Sequence, residues 1–326
     1  MARRTVSAAL AGSTAVLTLA ACGGGGGSQA AAGSADGYPS KTVRMVVPYP
    51  AGGGLDIAAR AVAPCLEKDL GKNVIVENKA GGSGAVGTTD VLGKPADGHT
   101  LEMVLTSSAV ITPLSNEVGY KLADLQPVGQ VAEFPYVVIV GKGSPHQSLE
   151  DLLTSSDSLK AAAPGASSQG AVELEALKRA GAPITLVPFD GTAGVKTALL
   201  GKQVDFGTAV VDDDILKQHA AGTLRILGVT SGDRVDYLPD TPAVKEISGF
   251  ESLGAGMSYF GIVVKKGTPA NVMTKLSGAL QGCLKDSATR GQIGDEFVGD
   301  TFVDGAQLTK AFEAQSEAYA PIVNKS

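Results

Sequence analysis

The feature that most constrains this chain is an alternation. From Lys41 onward, short β-branched runs are followed by glycine-rich turns and then by stretches with helical spacing. Val43–Val47 reads as a strand stopped by Pro48-Tyr49-Pro50. After Gly52-Gly53-Gly54, apolar residues fall at Leu55, Ala59, Val62, Leu66 and Leu70, in steps of three and four that share one helix face. Pro64 lies inside that stretch and is expected to kink or split it. The pattern goes on through a strand at 74–76, a glycine turn, a helix at Ala85–Leu92 and a strand at Thr100–Leu105. Further helices are expected at Leu149–Leu153 behind Ser148, at 171–179, at 195–200 and at Asp213–Ala220. Strands are expected at 184–187, 204–206, Leu224–Val229 and 259–264, with long helices after Pro269 and Gly305. Strands alternating with helices mark an α/β protein with largely parallel sheets.

Composition supports an ordered chain. With 44% hydrophobic and 18% charged residues it is too apolar for a disordered protein, and 326 residues suffice for about two domains. A net charge of −6 provides no footprint for nucleic acid.

The first residues read as an address. Arg3-Arg4 precedes a short apolar run, too short to span a bilayer, so 1–21 is expected to be a secretory signal. Leu19-Ala20-Ala21-Cys22 resembles the bacterial lipobox, which predicts lipidation at Cys22 and an anchor in the bilayer. Glycine, serine and alanine dominate 22–37, as in a flexible tether. The expected location is extracytoplasmic, attached to the cell membrane by lipid. Nicotinamide and nucleotide cofactors are scarce there, and disulfides are permitted. Cys65 and Cys283 are then either bridged or two buried thiols.

Candidate sites sit where strands end. The loop containing Tyr49, Ala51, Gly52, Gly53, Gly54 and Asp56 closes the first strand and opens its helix. Bare glycines admit a ligand to the backbone, and free amides backed by the helix dipole suit a carboxylate. The alternative is a tight turn. Gly165-Ala166-Ser167-Ser168-Gln169 opens a later helix, either as a second anion-compatible site or as an ordinary cap. Thr106-Ser107-Ser108, Phe189-Asp190-Gly191-Thr192 and Thr208 lie at comparable strand ends, which line crevices in open α/β sheets.

One rival reading is enzymatic. Gly82-Ser83-Gly84-Ala85-Val86-Gly87 fits the dinucleotide pattern, with Glu102 near the ribose position. It follows the second strand instead of the first, and the compartment lacks the cofactor. A nucleophile elbow is missing because position 85 is alanine. His99, His146 and His219 are scattered, and Asp212-Asp213-Asp214 reads as a helix start. No metal, cofactor or catalytic residue is expected.

Taken together and in order, several short stretches resemble the extracytoplasmic solute receptors of tripartite tricarboxylate transporters, the Bug family. They are Tyr38-Pro39-Ser40-Lys41, the 48–56 loop, Val76-Glu77-Asn78-Lys79, Ala96-Asp97-Gly98-His99, Val187-Pro188-Phe189, Leu200-Gly201-Lys202, Leu238-Pro239-Asp240 and Gly267-Thr268-Pro269. The resemblance runs from Tyr38 to Tyr319. It implies a two-domain periplasmic-binding-protein (type II) fold with a hinged interdomain cleft, domain 1 being 38–136 with 260–326 and domain 2 being 137–259. It implies a monomeric receptor that holds a small carboxylate for membrane permease subunits. A receptor feeding a sensor kinase is the alternative within that class. Carried over, the Tyr49–Gly54 loop and Asp56 would hold one carboxylate, with Ser167 and Ser168 approaching from the other domain. The chain departs from the pattern at Ser107-Ser108-Ala109-Val110, where the family often has Asn-Gly-Thr-His. It also departs at Leu55, Phe189 and Asp190, the last of which disfavours a tricarboxylate.

Overall fold

The computed structural model describes residues 37–323 apart from 231 and 255. The expected leader (1–21), the lipidation site Cys22 and the tether up to residue 36 lie outside the described residues.

Among the described residues, ten strands form two sheets of five. The strands are β1 (Val43–Val47), β2 (Val74–Asn78), β3 (Thr100–Leu105), β4 (Leu125–Phe134), β5 (Tyr136–Gly141), β6 (Leu159–Ala163), β7 (Ile184–Pro188), β8 (Phe206–Val210), β9 (Leu224–Val229) and β10 (Ser258–Lys265). The first sheet runs β2-β1-β3-β10-β4 and the second β7-β6-β8-β5-β9. In each, four strands run the same way and the newly arrived strand is antiparallel: β10 against β3 and β4, β5 against β8 and β9. The order is the same in both sheets, and the chain passes between them twice. Pro135 alone separates β4 from β5, and 230–257 leads back to β10. We call the parts built on the two sheets the first and second lobes.

Helices α1 (Gly54–Leu70), α2 (Ala85–Leu92) and α3 (Thr112–Ser115) belong to the first lobe. In the second lobe stand α4 (Leu149–Leu153), α5 (Gln169–Arg179), α6 (Gly191–Leu200) and α7 (Asp213–Ala220). After the return come α8 (Ala270–Cys283), α9 (Ser287–Ile293) and α10 (Gly305–Val323).

The apolar stripe of α1 is buried at Leu55, Ala59, Val62, Leu66 and Leu70. Pro64 does not split the helix, which runs unbroken for 17 residues. Pro64 lies on its exposed side, where water can take the carbonyl that the missing N–H leaves free. Cys65 of α1 and Cys283 of α8 form a disulfide, with Cα atoms 5.6 Å apart. The staple lies wholly within the first lobe.

Candidate functional site

The parallel strands of each sheet end on one side, and the candidate residues follow those ends. In the first lobe, β1 runs into the exposed loop 50–54 and then into α1. The N-cap is Gly53, which has no side chain to satisfy the helix, so the amides of Gly53, Gly54 and Leu55 make no hydrogen bond among the described residues. By contrast α4, α5, α7 and α9 are each capped by a side chain, from Ser148, Ser168, Asp212 and Asp286.

Asp56 holds this loop in shape. Its Oδ2 accepts from the Gly52 amide at 2.9 Å and from Arg60 Nε at 3.0 Å, and its Oδ1 accepts from Asn78 Nδ2 at 2.9 Å. Burial alone would raise the Asp56 carboxyl, but these three donors outweigh it and hold the group below its ordinary value. Both oxygens are engaged, so Asp56 supports the loop through its own backbone contact. Tyr49, beside it, donates from its hydroxyl to the Ser83 carbonyl at 3.1 Å, and burial keeps its phenol neutral.

The Gly82–Gly84 turn braces the loop. Gly84 has φ +98°, and a Cβ there would lie 2.6 Å from Ser108 Cβ and 3.2 Å from Tyr49 Oη. A Cβ on Gly87 would fall 2.6 Å from Pro48. These glycines therefore let α2 pack against the 48–54 loop. Glu102, the ribose candidate of the dinucleotide pattern, is fully buried and bonded to Thr88 at 2.7 Å. Burial pushes its carboxyl up to about 8 against the opposing Thr88 bond.

The hydroxyls after β3 are mostly committed inside the protein. Thr106 Oγ1 donates to Gln315 and accepts from the Tyr259 amide, both at 3.0 Å. Ser108 Oγ donates to the Leu105 carbonyl at 3.2 Å. Ser107 opens a π-helical turn, Ser107–Ile111, and its Oγ accepts from the Gln169 amide at 3.1 Å in the second lobe. Asn116 Nδ2 likewise donates to Ser167 Oγ at 2.9 Å. Ser168 is an ordinary cap of α5, accepting from the Ala171 amide at 3.1 Å and donating to Gly165 O at 2.8 Å.

Tyr49, the Gly82–Gly84 turn, the Ser107 turn and the α5 start thus form a chain of contacts. Phe189, Gly191 and Thr192 sit one strand over, at the end of β7 beside β6, where the Phe189 amide donates to Ala163 O at 2.9 Å. Thr208 stands in the middle of β8, which runs over Phe206–Val210 and not over the expected 204–206, so it is no strand-end residue; it is fully buried beside Gly170, and its hydroxyl has no partner among the described residues. Asn116 is absent from the sequence-based candidates, and nothing local points to it; Gln169 and Gly84 lie within stretches the sequence does single out, the α5 start and the glycine turn.

No Lys or Arg belongs to the candidate strand ends. The carboxylate at the rim is Asp190, which is exposed and has no ion-pair partner among the described residues. Asp212 caps α7 through the Ile215 amide at 2.8 Å. Among the described residues no three His, Cys, Asp or Glu side chains are grouped to hold a metal.

Two like five-stranded sheets joined by two crossovers are the framework of a periplasmic binding protein. Residues 58–326 match the family described as tripartite tricarboxylate transporter family receptor. The chain belongs to that family. BugT of Bordetella pertussis is 31% identical over 268 residues, 78% of this chain and 80% of BugT. The solved periplasmic binding protein BugD is 29% identical, with TM-score 0.76 over 88% of this chain and 98% of BugD. Rpa4515 of R. palustris, solved with adipate, is 25% identical, with TM-score 0.77 over 88% of this chain and 98% of that one. The receptor is therefore a binding protein and not an enzyme, and its Gly82–Gly84 turn is a packing device.

Proposed function

We propose that this receptor is anchored by lipid at Cys22 outside the cytoplasm, captures a small carboxylate between its lobes, and presents it to the permease subunits of a tripartite tricarboxylate-type transporter. The observation that carries this reading is the open start of α1. Three unpaired amides sit on an exposed glycine loop that Asp56 and Asn78 hold in place. Such a loop offers hydrogen-bond donors and a helix dipole without a competing side chain, which suits an anionic oxygen pair. Local dipoles also let a chain of net charge −6 hold an anion. Adipate in a relative that shares the fold favours the same class of cargo.

In this reading domain 1 is 38–136 with 260–326 and domain 2 is 137–259. A monomer closes on the ligand when Ser167, Gly191 and Thr192 meet the loop. Ligand stabilises the closed form because it touches both lobes.

The test is a thermal-shift screen of mono-, di- and tricarboxylates, adipate included, against a soluble form starting after Cys22, which keeps every described element. A true cargo raises the melting temperature with its concentration. Gly53 has φ −81° and ψ 164°, which suits a β-branched residue, and a Cβ there meets nothing closer than 3.7 Å. Gly53→Val is therefore expected to stay folded and lose the shift. Undiminished shifts in that variant would remove the loop from the site.

A further inference from the structure

Helix α5 begins at Gln169, whose amide donates to Ser107 of the first lobe. On its buried side stands Glu173, 5% exposed. Gln169 Nε2, one turn earlier, donates to Glu173 Oε1 at 2.8 Å and lies 3.1 Å from the carbonyl of Gly256. The other carboxyl oxygen meets the Thr230 hydroxyl, which is itself 3.1 Å from the Tyr136 carbonyl. Tyr136 is the first residue past Pro135, Thr230 opens the return crossover, and Gly256 lies close to its end. The first turns of α5 are thereby fastened to both passages between the lobes.

Across from Glu173 runs α10 of the first lobe, with Tyr319 buried against it. Between them is a cavity of about 130 Å³ lined by Glu173, Thr230, Ser252, Leu253, Gly254 and Tyr319. We propose that the Glu173 carboxyl, in its protonated form, pins α5 to both crossovers, and that removing its proton loosens one lobe from the other. The proposal rests on the hinged two-lobe reading above.

The chemistry is a matter of charge without a counter-ion. The ionisable groups facing Glu173 are Tyr136 from β5 and Tyr319 from α10, both phenols kept neutral by burial. From α5 and the crossovers come Gln169, Thr230 and the 252–254 backbone, none of which bears positive charge. Burial pushes Glu173 up to about 8, and the bonds from Thr230 and Gln169 only partly oppose this. An anion formed there has no cation to pair with among the described residues, so it is relieved by water. The adjoining cavity has room for several waters, and filling or widening it moves α10 from α5.

The experiment is small-angle X-ray scattering of the ligand-free soluble form from pH 6 to pH 9.5, with circular dichroism as the folding control. Wild type is expected to expand with a midpoint near pH 8. Glu173→Gln keeps the hydrogen-bonding atoms but cannot ionise, so it should hold the compact radius throughout. Glu173→Ala, with the pin removed, should be expanded already at pH 6. The same transition in Glu173→Gln, or none in wild type, would overturn the proposal. Should Glu173→Gln fail to fold, Thr230→Val serves: it removes a bond that lowers the carboxyl, so the midpoint should rise, and an unchanged midpoint counts against the pin. No carboxylate is added, so the outcome is independent of whether the cargo reading holds.

Discussion

The Gly52 amide and the Asp56 carboxylate face each other at 2.9 Å, four residues apart, across the turn that starts α1. A buried acid thus shapes the loop whose neighbouring amides remain open. Removing it strands the Gly52 N–H and the Asn78 amide and frees the loop to collapse.

Asp56→Ala is expected to lower stability by about 1–3 kcal/mol, the loss of hydrogen bonds made to a charged group. Carboxylate affinity should fall at least about tenfold, or 1.4 kcal/mol. Denaturant titration and calorimetric binding read the two effects separately. Asp56 is held below its ordinary 3.8, so its share of stability is present above that pH and fades as pH falls through its lower folded value. A variant that binds as wild type would show that the loop keeps its shape unaided.

Gly84 should tolerate no side chain. Its φ of +98° is a left-handed conformation, and the Cβ would meet Ser108 at 2.6 Å. Gly84→Ala is expected to cost about 1–3 kcal/mol, by strain and by overpacking. Gly232→Ala, at a position with nothing within 4 Å and no positive φ, should change little. Equal melting temperatures for the two variants would contradict the packing described for the turn.

Much of this architecture was legible because its signals are local. The β1 run, the glycines after it and the stripe on α1 lie within one stretch, and they were read with bounds close to those observed. Three strands were not. β4 contains Pro127 and Gly129, which break the alternation; β4 is an edge strand, where a proline is tolerated, and Phe302 packs where a Gly129 side chain would stand. β5 is apolar throughout and buried, so it has no period to read. β6 ends in three alanines, poor strand formers on propensity, yet Ala162 touches the site of an added Gly207 Cβ at 3.2 Å. In the candidate site, the serines and threonines were recognisable as donors, but their partners were not. Thr106 is bonded to Gln315, 209 positions away, and nothing near Thr106 announces it.

The disulfide offers a third measurement. Cys65 and Cys283 close a loop of 218 positions. Chain-entropy reasoning assigns such a bridge about 5 kcal/mol, and loss of a native disulfide typically costs about 2–5 kcal/mol. The Cys65→Ser, Cys283→Ser double variant should unfold at lower denaturant by an amount in that range, while wild type under reductant should behave alike. If reduction leaves the midpoint in place, the bridge contributes nothing to stability.

Glu102 sets the sign of a pH effect. Its folded value of about 8 lies above the unfolded 4.5, so the stability it contributes is complete below 4.5 and is lost as pH rises toward 8. The slope is about 1.4 kcal/mol per pH unit for one such group. Glu102→Gln keeps an acceptor for Thr88 without the charge. It should match wild type near pH 4.5 and exceed it at pH 7.5 in melting temperature. A wild-type advantage at pH 7.5 would mean that the carboxyl is ionised in the fold.

The two passages between the sheets are unequal, and the inequality has a mechanical result. On one side a single residue, Pro135, divides Phe134 of the first sheet from Tyr136 of the second, and its ring locks one torsion and narrows the choices of the residue before it. On the other side the connection is far longer, 230–257. Any swing of the halves must therefore pivot near the proline, like a door on a short stiff pin, with a travel set by a handful of backbone angles.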